Sequence, residues 1–86
     1  MSDKKELKGD QLNDAFKSFL EYFQPHTSGE AIYLETYDVI YKILTMYPGY
    51  FIDSIEILQY LKTYGFKQSI DVEDLSWKWK VEMVSN

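Results

Sequence analysis

The sequence predicts one small α+β domain in which three helices and a short strand precede a C-terminal β-hairpin. Apolar residues recur with helical spacing in three segments that end at Tyr64, and helix-capping and helix-ending signals separate those segments. After Gly65 the apolar spacing changes to every second residue, which is typical of β-strands. The 86 residues fit a single domain, and a hydrophobic fraction of 45% with 17% aromatic residues is sufficient for a buried core.

The first helix is predicted over residues 10–23, with Asp10 as its N-cap. The preceding residues 1–9 alternate in charge and are expected to form a disordered head, so the domain itself is predicted over residues 10–86. The apolar residues of this helix follow the i, i+3, i+4, i+7 spacing of an amphipathic helix. They are Leu12, Ala15, Phe16, Phe19, Leu20 and Phe23.

A short strand and a second helix are predicted next. Residues 31–34 are expected to be extended, after a loop that contains proline and glycine. Thr36 is expected to cap a helix that runs to Tyr47, where Pro48 and Gly49 turn the chain. Because only a narrow stripe of this helix is polar, we expect it to be mostly buried.

The third helix, residues 54–64, has the clearest local signals. Asp53 is its predicted N-cap, and Glu56 stands three residues later, as in a capping box. Gly65 follows the helix, and Phe66 can pack back on its last turn, as in a Schellman motif. The outward face of this helix is predicted to consist of Ile55, Glu56, Gln59, Lys62 and Thr63.

Two alternating runs, residues 66–72 and 75–83, predict a β-hairpin that turns at Glu73 and Asp74. The complete predicted order of elements is therefore α-β-α-α-β-β.

The aromatic residues are predicted to belong mainly to the core. Alternation places Trp77 and Trp79 on one face of the last strand and Lys78 and Lys80 on the other. A surface that stacks unpaired bases needs aromatic and basic groups on the same side, so we expect both Trp to cover the helical core. The tyrosine pairs at helical i, i+4 spacing are expected at the edge of that core: Tyr37/Tyr41 and Tyr60/Tyr64.

The order of elements resembles that of winged-helix domains. The resemblance depends on the helix–turn–helix of residues 36–64, the strand 31–34 and the hairpin 66–83. In winged-helix proteins that bind DNA, the last helix enters the major groove and the hairpin, or wing, contacts the DNA beside it. The resemblance implies a partner-binding surface made of the outer helix face and the wing tip: Ile55, Glu56, Gln59, Lys62, Thr63, Asp71, Glu73 and Asp74.

The charge of this surface argues against nucleic acid as the partner. Between residues 53 and 74 there are five carboxylates and two lysines, and the whole chain has a formal net charge of −5. Phosphate groups are repelled by such a surface. The chain also has no arginine, the side chain that most often reads bases and phosphates.

No catalytic or ligand-binding constellation is present in the sequence. His26 is the only histidine, and its loop provides no standard base–nucleophile geometry. Cysteine and glycine-rich phosphate loops are absent, and the wing carboxylates lack the spacing of a calcium-binding loop. We therefore expect no enzymatic activity, no cofactor and no metal.

These observations predict a non-enzymatic protein–protein interaction module. It is expected to act as an adaptor, or as an acidic inhibitor that fills another protein's nucleic-acid channel, and it resembles small phage or mobile-element accessory proteins. The alternative is a winged-helix DNA-binding regulator that reads bases through Gln59 and Thr63 beside Lys62. A homodimer through an open edge strand is a further alternative. The sequence shows no signal peptide and no membrane-spanning stretch, so a soluble cytoplasmic protein is expected.

Overall fold

Three helices and six strands make up the described part of the chain, residues 4–85 of the computed structural model. An α+β fold with three helices is therefore confirmed. The elements in chain order are β1 (Lys5–Glu6), α1 (Gly9–Leu20), β2 (Phe23–Pro25), β3 (Ile32–Leu34), α2 (Thr36–Leu44), β4 (Tyr50–Phe51), α3 (Ser54–Thr63), β5 (Lys67–Asp71) and β6 (Ser76–Met83).

The long strand β6 organises a four-stranded antiparallel sheet. β5 pairs with residues 76–80 of β6 and β3 pairs with residues 79–81, so these two strands lie on opposite edges. β2 pairs with residues 81–83 of β6. Because β2 and β3 both pair with Val81, they lie on opposite sides of β6, so β2 is on the same side as β5. The remaining strands, β1 and β4, form a separate parallel pair.

The prediction of a disordered head is wrong over the described residues 4–9. β1 pairs with β4, the N–H of Leu7 donates to the carbonyl of Phe51 at 2.8 Å, and the Leu7 side chain is fully buried. The first three residues of the predicted head lie outside the described part of the chain. A two-residue strand has no periodicity to detect, and its pairing partner β4 lies more than forty residues away in the sequence.

The buried core is built from one face of each helix and the inner face of the sheet. Trp79 and Phe16 are its largest fully buried side chains. Phe16 contacts the rings of Phe19 and Tyr60, with centroids 5.5 and 5.3 Å away. The core members are Leu7, Leu12, Ala15, Phe16, Phe19, Leu34, Val39, Ile40, Ile43, Ile52, Ile57, Leu61, Phe66, Trp79 and Val81.

Helix α2 is shorter and more exposed than the sequence predicts. Glu35, not Thr36, is its N-cap, and the Glu35 N–H donates to the Asp38 carboxylate at 2.8 Å. The helix ends at Leu44, three residues before Tyr47. Only three of its nine residues are buried and four are exposed, so the prediction of a mostly buried helix is wrong.

Helix α3 begins and ends as its local signals predict. The Asp53 carboxylate accepts from the Ile55 N–H at 2.9 Å, which confirms the N-cap. Gly65 has φ +88°, which favours glycine, and the Phe66 N–H donates to the Leu61 carbonyl at 2.9 Å. This is the long-range bond of a Schellman motif, and Phe66 is buried beside it. The predicted capping box is wrong, because within the described residues the Glu56 Oε2 is buried without a hydrogen-bond partner.

Candidate functional site

The hairpin turn of residues 72–75 joins β5 to β6 in a fixed geometry. The Leu75 N–H donates to the Asp71 carbonyl at 2.7 Å, and Leu75 itself has φ +59°. A left-handed conformation costs a side-chain-bearing residue about 1–2 kcal/mol. Asp74 fixes the end of the turn by accepting from the Ser76 N–H and hydroxyl at 3.0 and 2.6 Å.

Lys78 lies between two of the three carboxylates predicted for the wing tip. Its ammonium group contacts Asp71 at 3.0 Å and Asp74 at 2.7 Å. The hydrogen bond from Lys78, with those from Ser76, lowers the pKa of Asp74 to about 2. The same two carboxylates raise the pKa of Lys78. Lys78 thus offsets much of the negative charge predicted for this end of the hairpin.

The expectation that Asp71 is an exposed wing-tip residue is wrong. Asp71 is the last residue of β5 and is only 9% exposed. One carboxylate oxygen contacts Lys78 and the other accepts from the Glu73 N–H at 3.1 Å. The aspartate side chain therefore stabilises the turn, and of the three predicted carboxylates Glu73 and Asp74 are exposed.

The end of the hairpin presents an apolar surface instead. Val72, Leu75 and Trp77 are 79%, 76% and 64% exposed, and we call these three residues the apolar tip. The prediction that both Trp cover the core is confirmed for Trp79, which is 1% exposed, and wrong for Trp77. Alternation places them on the same face, but Trp79 belongs to the buried core whereas Trp77, nearer the turn, lies outside it. The Trp79 indole N–H donates to the Thr36 hydroxyl at 2.9 Å.

The outer face of α3 is mostly exposed, as predicted. Ile55, Gln59, Lys62 and Thr63 are exposed, whereas Glu56 is partly buried. Within the described residues, no hydrogen bond or ion pair joins this face to the apolar tip. Of the predicted site, the structure therefore keeps most of the α3 face, Glu73 and Asp74 exposed and buries Asp71.

A tyrosine-rich groove is a surface that the sequence did not reveal. Tyr37 and Tyr41 are 72% and 69% exposed, so their expected place at the core edge is wrong. They line a groove of about 600 Å³ with Tyr47, Tyr50 and Phe51. The available signal was the nearly all-round apolar character of α2, because a domain of this size cannot cover every side of a helix.

Glu82 anchors the loop between β2 and β3. The carboxylate is 6% exposed and accepts from the Thr27 and Gly29 N–H groups at 2.7 and 3.0 Å. These backbone bonds, with one from the Gln24 side chain, lower the pKa of Glu82 to about 2. A Cβ on Gly29 would lie 3.3 Å from the Glu82 carboxyl carbon, a tight contact that would displace the Glu82 side chain by a few tenths of an ångström.

The single histidine belongs to this anchored loop. Its Nε2 lies 3.0 Å from the Gly29 carbonyl, and the His26 N–H donates to the Lys80 carbonyl at 3.3 Å. Both contacts are to the backbone, so they hold the loop rather than activate a nucleophile.

The described residues contain no group of three His, Asp or Glu side chains placed to hold a metal ion. In the same part of the chain, no helix has the length and apolar character needed to cross a membrane. No family model, curated protein or solved structure matches this chain.

Proposed function

We propose that the chain is a non-enzymatic protein-binding module and that the apolar tip is its main contact with the partner. The observation that carries this proposal is the exposure of Val72, Leu75 and Trp77 together at one end of the hairpin. Grouped apolar side chains of this size on a small domain mark interaction surfaces. Tryptophan is also among the residues that contribute most to protein–protein affinity.

The charges around the apolar tip define the chemistry of the partner. Glu73 and Asp74 are exposed within the turn, between Val72 and Leu75. A matching surface has an apolar pocket bordered by Lys or Arg side chains.

The arrangement favours an adaptor over an acidic inhibitor. An inhibitor that imitates phosphates needs free carboxylates, but Asp71 is buried and Asp74 contacts Lys78. Binding through the apolar tip should therefore weaken only modestly as salt increases, whereas a phosphate mimic loses affinity steeply.

We also propose that the fold is winged-helix-like. The strand order β3-β6-β5, with β6 in the centre, and the helix–turn–helix of α2 and α3 support this assignment. In that comparison β1, β2 and β4 are additions to the common elements. DNA binding is the second candidate function, and the exposure of Gln59, Lys62 and Thr63 on α3 favours it.

Capture of partners by the immobilised full chain tests the protein-binding proposal. The lysate of cells that express the protein is treated with nuclease, so that no protein is retained through nucleic acid. The variant Val72→Ser/Leu75→Gly removes two side chains of the apolar tip. The matched control, Tyr37→Ser/Tyr41→Ser, removes two equally exposed side chains from α2. At least one captured protein should be lost with the first variant and retained with the control.

Two results would contradict the proposal. If the capture is repeated without nuclease and recovers only nucleic acid, the chain is not a protein-binding module. If the tip variant captures the same proteins as the wild type, the apolar tip is not the binding surface. A mobility-shift assay with random duplex DNA at low salt tests the second candidate. Retardation that is lost in Lys62→Glu would favour DNA binding, and no retardation would reject it.

A further inference from the structure

We propose that two copies of this chain pair through their β5 strands, antiparallel and about a two-fold axis at Ser69. This inference does not depend on the proposed function, because the two strands pair through the backbone edge of β5, and of the apolar tip only Trp77 flanks the pair. It rests on the open edge of β5, on the charge pattern of its sequence and on the exposed residues of its apolar face.

The outer edge of β5 is open. Within the described residues, β5 pairs only with β6, and Lys67, Gln68 and Ile70 are exposed. An edge strand presents unpaired backbone N–H and C=O groups, which another strand can satisfy. β5 has five residues and contains no proline. The other edge strands are shorter, and β2 includes Pro25, which has no N–H to donate.

The sequence of β5 is complementary to itself in one orientation only. In an antiparallel pair centred on Ser69, Lys67 lies opposite Asp71 of the second copy at both ends of the pair, so that each Lys67 adds a second cation beside a carboxylate that already contacts Lys78 of its own chain. Lys67 and Asp71 project from the same face, because side chains alternate along a strand. A parallel pair in register would place Lys67 opposite Lys67, which is unfavourable.

The other face of the same pair brings apolar residues together. Ile70 would lie opposite Gln68 of the second copy and diagonal to its Ile70, a neighbour distance of about 7–8 Å. Within each hairpin, Ile70 is already the cross-strand partner of Trp77. Both side chains are exposed in the single chain. The dimer would therefore form one apolar row across four strands, from Trp77 of one copy to Trp77 of the other.

Sedimentation equilibrium of the full chain tests the dimer, and a charge reversal tests its register. The wild-type chain should change with concentration from 10.2 kDa to twice that mass. Lys67→Glu places two like-charged pairs in the interface and should raise the dimer dissociation constant at least tenfold. The matched control Lys62→Glu makes the same charge change on the exposed face of α3 and should leave the constant within twofold.

An engineered cysteine tests the position of the axis. The chain has no cysteine, so Ser69→Cys introduces one thiol per copy. Directly opposed residues in an antiparallel pair have Cα atoms about 4.5–5.5 Å apart, within the disulfide range. Under mild oxidation Ser69→Cys should form a covalent dimer much faster than the exposed control Ser54→Cys. Adding Lys67→Glu should slow the reaction.

Three results would overturn the proposal. If the wild-type chain stays monomeric up to about 1 mM, its dimer dissociation constant is too high for the proposed pairing. A dimer that Lys67→Glu does not weaken uses another surface. Equal oxidation rates for the Ser69→Cys and Ser54→Cys variants exclude an axis at Ser69.

Discussion

Replacing each tryptophan of β6 by alanine should have very different effects on stability. A buried aromatic side chain removes about 150–250 Å² from water, which corresponds to about 4–6 kcal/mol at 25 cal/mol per Å². Trp79 is 1% exposed, so Trp79→Ala should cost about 3–5 kcal/mol, including the cavity it leaves. Trp77 is 64% exposed, so Trp77→Ala should cost about 1–2 kcal/mol at most. The total stability expected for a domain of this length is about 4–13 kcal/mol.

Urea unfolding followed by far-ultraviolet circular dichroism measures both costs. With a denaturant slope of about 1.5 kcal/mol per M, Trp79→Ala should lower the midpoint by about 2–3 M. Trp77→Ala should lower it by about 1 M or less. Each variant keeps one tryptophan, so fluorescence gives an independent check. Trp77→Ala retains the buried indole and should emit at shorter wavelength than Trp79→Ala. Equal midpoints for the two variants would refute the assignment of Trp79 alone to the core.

Three further substitutions test separate parts of the structure. Asp53→Ala removes the N-cap of α3 and should lower the free energy of unfolding by about 1 kcal/mol, whereas Asp53→Ser should keep most of that stability. Equal urea midpoints for the two variants would contradict a stabilising role of the Asp53 cap. Leu75→Gly removes the strain of a left-handed backbone and should be more stable than Leu75→Ala by about 0.5–1 kcal/mol in the same assay. The reverse order of stability would contradict the positive φ at Leu75. Glu82 has its pKa lowered from 4.5 to about 2, so its ionised form stabilises the fold above pH 4.5 and this contribution is lost as the pH falls towards 2. Thermal melts should therefore show a smaller loss of Tm between pH 5 and pH 2 for Glu82→Gln than for the wild type; parallel curves would exclude this anchor.

The local signals of the sequence predicted that three helices and a hairpin form, and they predicted the bounds of α3. The predicted N-caps Asp10 and Thr36 are wrong, because the N-caps of α1 and α2 are Lys8 and Glu35, and α1 ends at Leu20 rather than Phe23. The N-cap at Asp53 and the Schellman motif at Gly65 involve hydrogen bonds between residues at most five positions apart. Such bonds depend on side chains and backbone angles that are visible in the sequence itself. The alternation after Gly65 likewise predicted β5 and β6, because the side chains of a strand alternate wherever the strand lies.

The candidate site was predicted only in part. Most of the outer face of α3 is exposed as expected, but Asp71 is buried and Trp77 is exposed. Both differences arise at the end of the hairpin. Lys78 forms an ion pair with Asp71 there. No helix in the described part of the chain covers Trp77. Neither can be deduced from alternation, which assigns a face to each residue without saying how far the neighbouring elements extend.

Three helices, a hairpin and an acidic chain all follow from the order of the residues alone. Only the folded structure shows that Leu7 is buried in the core and that Glu82 binds the loop at Gly29. It also shows that Trp79 is buried while Trp77, on the same strand, is exposed. The physical reason is distance along the chain. Helix caps and alternation are set by neighbours within a few residues. Burial is set by elements that are remote in sequence and meet only when the chain has folded.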